Sequence, residues 1–226
     1  MKVVNTKKKA IFLTVLISYV FFMTGCPAVA PVTISQIAAS VRLVTSLLQL
    51  AKELSNDTSK SVNVAYVSLN TSLRSPNQLS AENIQSMETT LSSLNEKAGK
   101  LRNTLGQTES QASSLFSLLK RRTNQNKTQD LKDQMLAEIQ EKETEFNKKL
   151  ETAKEVLKKL DISIQKYDDI LGYCQVMEGG KTLDKYSAEI TSVINQANEL
   201  NKEIEVAING QIQIMGTLAR NADTQQ

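Results

Sequence analysis

AENIQSMETTLSSLNEKAGKLRNTLGQTESQASSLFSLLKRR (81–122) decides the fold. Stepping through it by alternating three and four residues gives Ile84, Met87, Leu91, Leu94, Ala98, Leu101, Leu105, Thr108, Ala112, Leu115, Leu119 and Arg122. Ten of these twelve are apolar, against 40% for the whole chain, so one narrow stripe of a helix is marked for burial. Between the stripe positions lie Ser, Thr, Asn, Gln, Lys and Glu. Ser80 is a candidate N-cap. Lys120-Arg121-Arg122 suits the negative end of the helix dipole, so the cluster reads as an end signal before a nucleic-acid or membrane contact.

The same stepping works outward in both directions. Upstream, Ile34, Ile37, Val41, Val44, Leu48 and Ala51 lead to Val62, Ala65 and Leu69, predicting a helix over 34–73. Ser55 and Thr58 interrupt its stripe within SNDTSK, where a kink or short break is expected. Ser75-Pro76-Asn77 ends it, because proline turns the preceding residue away from helix. Downstream, TNQNKT (123–128) is a polar turn. Met135, Ile139, Lys142, Phe146, Leu150, Ala153, Leu157, Leu160, Ile164, Tyr167, Leu171 and Cys174 then predict a helix over 130–177. Glu138–Lys142, Glu145–Lys149 and Glu155–Lys159 have the favourable i,i+4 order, so this run reads as a solvated face. Gly179-Gly180 closes the segment. Leu183, Tyr186, Ile190, Val193, Ala197, Leu200, Ile204, Ala207, Gln211, Ile214 and Leu218 predict a fourth helix over 183–219, and 221–226 reads as a polar tail.

Four segments of roughly 40 residues would each be about 60 Å long. Their short connections force antiparallel neighbours. The expectation is an all-α, elongated antiparallel four-helix bundle over 34–220, with coiled-coil-like packing. A pair of hairpins that completes its core as a homo-oligomer has the same local pattern. The absence of proline after Pro76 agrees with long helices.

The N-terminal region differs in kind. Met1 to Lys9 is basic, Ala10 to Phe22 is a 13-residue apolar run, and Met23-Thr24-Gly25-Cys26 follows. The run suits a signal h-region and is short of the roughly 20 residues of a membrane span. Met23-Thr24-Gly25-Cys26 resembles the lipobox of bacterial lipoproteins, with Met where Leu is commonest. The resemblance implies cleavage between Gly25 and Cys26, and lipid attachment on Cys26. It further implies a signal peptide over 1–25, a lipidated tether over 26–33 and a cell-envelope location, anchored on the periplasmic or extracellular side of a bacterial membrane. An ordinary secretory signal and an uncleaved anchor are the alternatives.

Charge and chemistry narrow the rest. The chain has 27 Lys and Arg against 24 Asp and Glu, but four lysines and no acid precede Cys26. That leaves 23 basic against 24 acidic residues, with no bulk attraction for nucleic acid. There is no His and no nucleotide or hydrolase motif, so no catalytic residue, metal or cofactor is expected beyond the lipid on Cys26. Asp168-Asp169 point about 100° apart on a helix and do not converge. Cys174 lies on a stripe and reads as a small buried hydrophobe. The aromatic residues are scattered, unlike a stacking platform. The expected role is therefore a non-catalytic, lipid-anchored interaction or spacer module with an envelope protein as partner. The alternative is a membrane-active protein like the α-helical pore-forming toxins, with 27–51 as the candidate inserting segment.

Overall fold

The computed structural model describes residues 31–74, 80–176 and 184–223, and Val32–Gln226 forms one compact unit. The lipobox-like residues, with Gly25 and Cys26, lie outside the described residues, as does the side chain of Cys174. Among the described residues the unit has four α-helices: α1 (Ile34–Arg74), α2 (Ala81–Asn124), α3 (Gln129–Val176) and α4 (Asp184–Asp223). Their lengths of 41, 44, 48 and 40 residues correspond to about 60–70 Å each. The last helix runs to Asp223, so the first residues of the expected polar tail belong to it.

α1 begins with a reciprocal cap. Thr33 Oγ1 accepts the Gln36 N–H at 3.2 Å, and Gln36 Oε1 accepts the Thr33 N–H at 3.0 Å. Val32 and Ile37, the staple positions on either side of this capping box, are both buried. α2 is capped by Ser80, whose hydroxyl accepts the Asn83 N–H at 3.3 Å. Only 125–128 separate α2 from α3.

Each helix packs on two others, α1 on α2 and α4, and α3 on α2 and α4, which makes a square. The α2–α3 contacts fix direction and register. Glu88 meets Gln175, Arg102 meets Asp161, Glu109 meets Lys154, and Lys120 meets Glu143. Steps of 14, 7 and 11 residues up α2 are matched by equal steps down α3, so the pair is antiparallel and unslipped. On the other side, Lys52 of α1 donates to Asn209 Oδ1 of α4 at 2.9 Å and pairs with Glu205 at 3.4 Å. A single chain thus closes its own core, and the oligomer is not needed for that purpose.

The core is one continuous cluster along the bundle, from Val41, Leu48 and Leu115 to Leu69, Leu94 and Leu171. Two aromatic pairs brace it. Phe116 and Phe146 meet edge-on at 5.9 Å, and Tyr66 and Tyr167 at 5.4 Å. Four of the aromatics that look scattered in sequence are therefore paired. Tyr66 also donates its hydroxyl to the Ser163 carbonyl at 2.6 Å, joining α1 to α3 across the diagonal.

Between the pairs the core turns polar. Ser55, Thr58 and Ser59 of α1 and Thr104 and Thr108 of α2 are buried. Of the kink or short break expected at SNDTSK, the break does not occur, because α1 is continuous through it. Thr58 Oγ1 donates to the Leu54 carbonyl at 2.7 Å, and Thr108 Oγ1 to Thr104 at 2.8 Å. Satisfied within their own helix, these hydroxyls enter the core without breaking the backbone ladder.

Candidate functional site

The side chains that sequence marked for chemistry are dispersed along the rod. Lys120 is half-buried and spans to Glu143 on α3, so the first residue of the basic cluster is committed to packing. Arg121 and Arg122 lie in the last turn of α2, and Arg122 reaches Gln125 at 3.5 Å. Asp168 and Asp169 are exposed on α3, where Asp169 accepts from Gln165 Nε2 at 3.1 Å. Among the described residues, no group of three or more Cys, Asp or Glu is placed to hold a metal ion.

The charged face of α3 is built differently from its sequence pattern. Of the three expected i,i+4 pairs, only Glu145–Lys149 forms, at 3.8 Å. Lys142 pairs with Glu145 instead, at 3.4 Å and three residues away, and no ion pair joins Glu138 to Lys142 or Glu155 to Lys159 among the described residues. The stronger partners sit on α2. Lys154 donates to Glu109 at 2.6 Å and to Glu151 at 3.0 Å. Partial burial works against the Lys154 charge, but the two carboxylates outweigh it and hold the ammonium above the ordinary lysine range. Glu96 is held below the ordinary carboxylate range by its hydrogen bond from Lys100. Both shifts make the charged form firmer, the opposite of what an acid or base working near neutrality requires.

A groove of about 500 Å³ runs between α3 and α4, lined by Glu145, Lys148, Lys149, Thr152, Lys202, Glu203, Val206 and Ala207. A side chain at Gly210 would begin 2.7 Å from the Lys149 stem, so glycine lets that stem lie across the helix. Gln211 beside it is fully buried; its amide reaches the Phe146 carbonyl at 3.5 Å, and its Oε1 meets no donor. The groove is open, apolar at its floor and rimmed by both signs of charge.

One helix also passes a membrane criterion. Among the described residues, the stretch Ile34–Thr71 of α1 is long and apolar enough to cross a bilayer by length and composition, and its most apolar 18-residue window is 39% buried within the bundle. The apolar surface has its own explanation, since a core helix passes the same test.

Sequence reasoning missed the residues flanking each stripe. Leu43, Leu47 and Tyr66 of α1, Phe116 of α2, Val156 and Ile170 of α3, and Ile208 and Met215 of α4 are all buried. Each stands one position from a stripe residue, and widening the stripe to the face that meets a second neighbour would have found them.

No family model matches the chain, and no curated protein or solved structure matches it.

Proposed function

We propose that this chain is a lipid-anchored cell-envelope protein whose helical bundle is a non-catalytic interaction or spacer module. The observation that carries the reading is the order of parts: a basic segment, a 13-residue apolar run, Met23-Thr24-Gly25-Cys26, and then a capped helix from Ile34. Only six residues separate Cys26 from Thr33, so a lipid on that cysteine would hold the base of the rod close to the bilayer. A rod of about 60 Å would then carry its far end clear of the headgroups. The absence of His in the chain and the dispersed carboxylates support a role without catalysis.

The anchor is tested by metabolic labelling with a palmitate analogue, comparing the natural chain with Cys26→Ala. Label on the natural chain and none on the variant is expected. An unlabelled natural chain would overturn the reading.

The membrane-active alternative draws on 27–51, whose later part opens α1, a helix long and apolar enough to cross a membrane by length and composition. It predicts dye leakage from liposomes by the natural chain. In its absence, α1 serves only as a core helix.

A further inference from the structure

The two ends of the rod differ in charge. The antiparallel order brings the starts of α1 and α3 and the ends of α2 and α4 to one end. Ten residues from each helix there carry six Lys or Arg against four Asp or Glu, and Lys127 in the connection adds a seventh cation, for a net +3. Ten residues from each helix at the opposite end carry two Lys or Arg against six Asp or Glu, for a net −4. The dipoles of antiparallel helices oppose one another, so these side chains set the polarity of the rod.

Helix-end chemistry explains part of the basic end and leaves a remainder. Arg121 and Arg122 suit the end of α2, and Asp130 suits the first turn of α3. Lys127 and Lys132 flank that same start of α3, where the dipole disfavours a cation. Residues 110–129 hold four cations and no acid. Of these, Lys120 is spent on Glu143, whereas Arg121, Arg122 and Lys127 are exposed and, among the described residues, form no ion pair. Four residues after Lys127, Leu131 stands 49% exposed.

We propose that this end is a membrane-contact surface for anionic phospholipid headgroups, with Arg121, Arg122 and Lys127 on the phosphates and Leu131 at the edge of the acyl region. Unpaired cations beside an exposed apolar side chain are what a negatively charged bilayer surface attracts. Cys26 lies six residues before Thr33, which caps α1 at this same end, so the orientation rests on the anchor proposed above. Each cation held at an anionic surface strengthens binding about fivefold, or about a hundredfold for three. The attraction fades over a Debye length of about 8 Å. An upright rod of about 60 Å keeps its acidic end beyond that distance. A rod lying flat would bring the acidic end within it, so the same polarity that attracts the base also holds the rod upright.

The test uses the full chain with Cys26→Ala and Cys174→Ser, so its outcome does not depend on lipidation and is separate from the palmitate-analogue result. A fluorophore is attached at Asn126→Cys, at the basic end, or at Gln85→Cys, at the acidic end. The chain is reconstituted in vesicles of phosphatidylcholine, with or without phosphatidylglycerol, that carry a quencher on a lipid headgroup. Quenching at position 126 is expected to rise at least twofold when phosphatidylglycerol is added in 0.05 M NaCl and to fall back in 0.5 M NaCl. Quenching at position 85 is expected to stay low throughout. Arg121→Gln/Arg122→Gln/Lys127→Gln is expected to abolish the rise and Arg121→Lys/Arg122→Lys to keep it, both with unchanged helical circular dichroism. No rise at position 126, as an acidic protein partner for these cations would give, overturns the inference. An equal rise at position 85, or a rise that survives the three glutamines, overturns it as well.

Discussion

α1 and α3 stand diagonally across one bundle and follow the same heptad rule, yet they are secured in different ways. α1 carries six charged residues in 41, and α3 carries nineteen in 48. α1 is fixed by apolar contact with two neighbours and by single polar reaches such as Lys52 to Asn209 and Tyr66 to Ser163. α3 adds a row of charged contacts along its seam with α2, from Arg102–Asp161 to Lys120–Glu143. Packing is non-directional and supplies most of the energy. Charge at the rim contributes less but penalises a slipped register. α3 has its long outer face spoken for by this row, whereas α1 carries no charge between Lys60 and Arg74.

Core truncation gives the largest effect and should not distinguish the two helices. Leu48→Ala in α1 and Leu150→Ala in α3 are each expected to cost about 2–5 kcal/mol in urea unfolding, since both side chains are buried. A cost near zero at Leu48 alone would mean that α1 is not a core helix. The diagonal link comes next. Tyr66→Phe retains the ring contact with Tyr167 and removes the hydroxyl from Ser163, for an expected loss of about 1 kcal/mol by the same measurement.

A gain is expected from Gly210→Ala. Glycine within a helix is destabilising by about 0.5–1 kcal/mol relative to alanine, and the obstructing atoms are the flexible end of Lys149. The variant should therefore unfold at higher urea, provided the Lys149 stem swings away.

The smallest effect is on the α2–α3 seam. Arg102→Ala removes a half-exposed ion pair, and its cost should be below about 1 kcal/mol and disappear in 1 M NaCl, whereas the Leu48→Ala cost persists there. The Lys154 contribution has a definite pH sign. Its ammonium is favoured in the fold, so the stabilisation is complete below the ordinary lysine value of 10.5 and is lost as pH rises through the raised value. Glu96 behaves oppositely, contributing above 4.5 and losing that contribution as pH falls through its lowered value. A Lys154–Glu109 contact that weakens near neutral pH would contradict the Lys154 assignment, and an effect of Glu96→Gln on stability that is the same at pH 7 and below the lowered Glu96 value would contradict the other.

The helices were legible because their stripes are long. The expected 34–73 and 81–122 fall within two residues of Ile34–Arg74 and Ala81–Asn124. Single-stripe reading failed where a residue serves the second neighbour, as with Tyr66 and Phe116, and both aromatic pairs went unseen for that reason. It also read buried hydroxyls as a kink or short break, because stripe counting scores Ser55 and Thr58 as polar and cannot register a bond such as that of Thr58 within its own helix. The basic end of the rod was half visible in Lys120-Arg121-Arg122, read as the end signal of one helix. Its extent needs the antiparallel order that sets the starts and ends of four helices together.

The central claim is the anchor on Cys26, and the intact mass of the membrane-extracted protein tests it most directly. The account predicts a chain lacking Met1–Gly25 and heavier than Cys26–Gln226 by a diacylglyceryl group, with or without a further acyl chain. A chain that retains Met1–Gly25, or one that is cleaved and carries no added lipid, would contradict it.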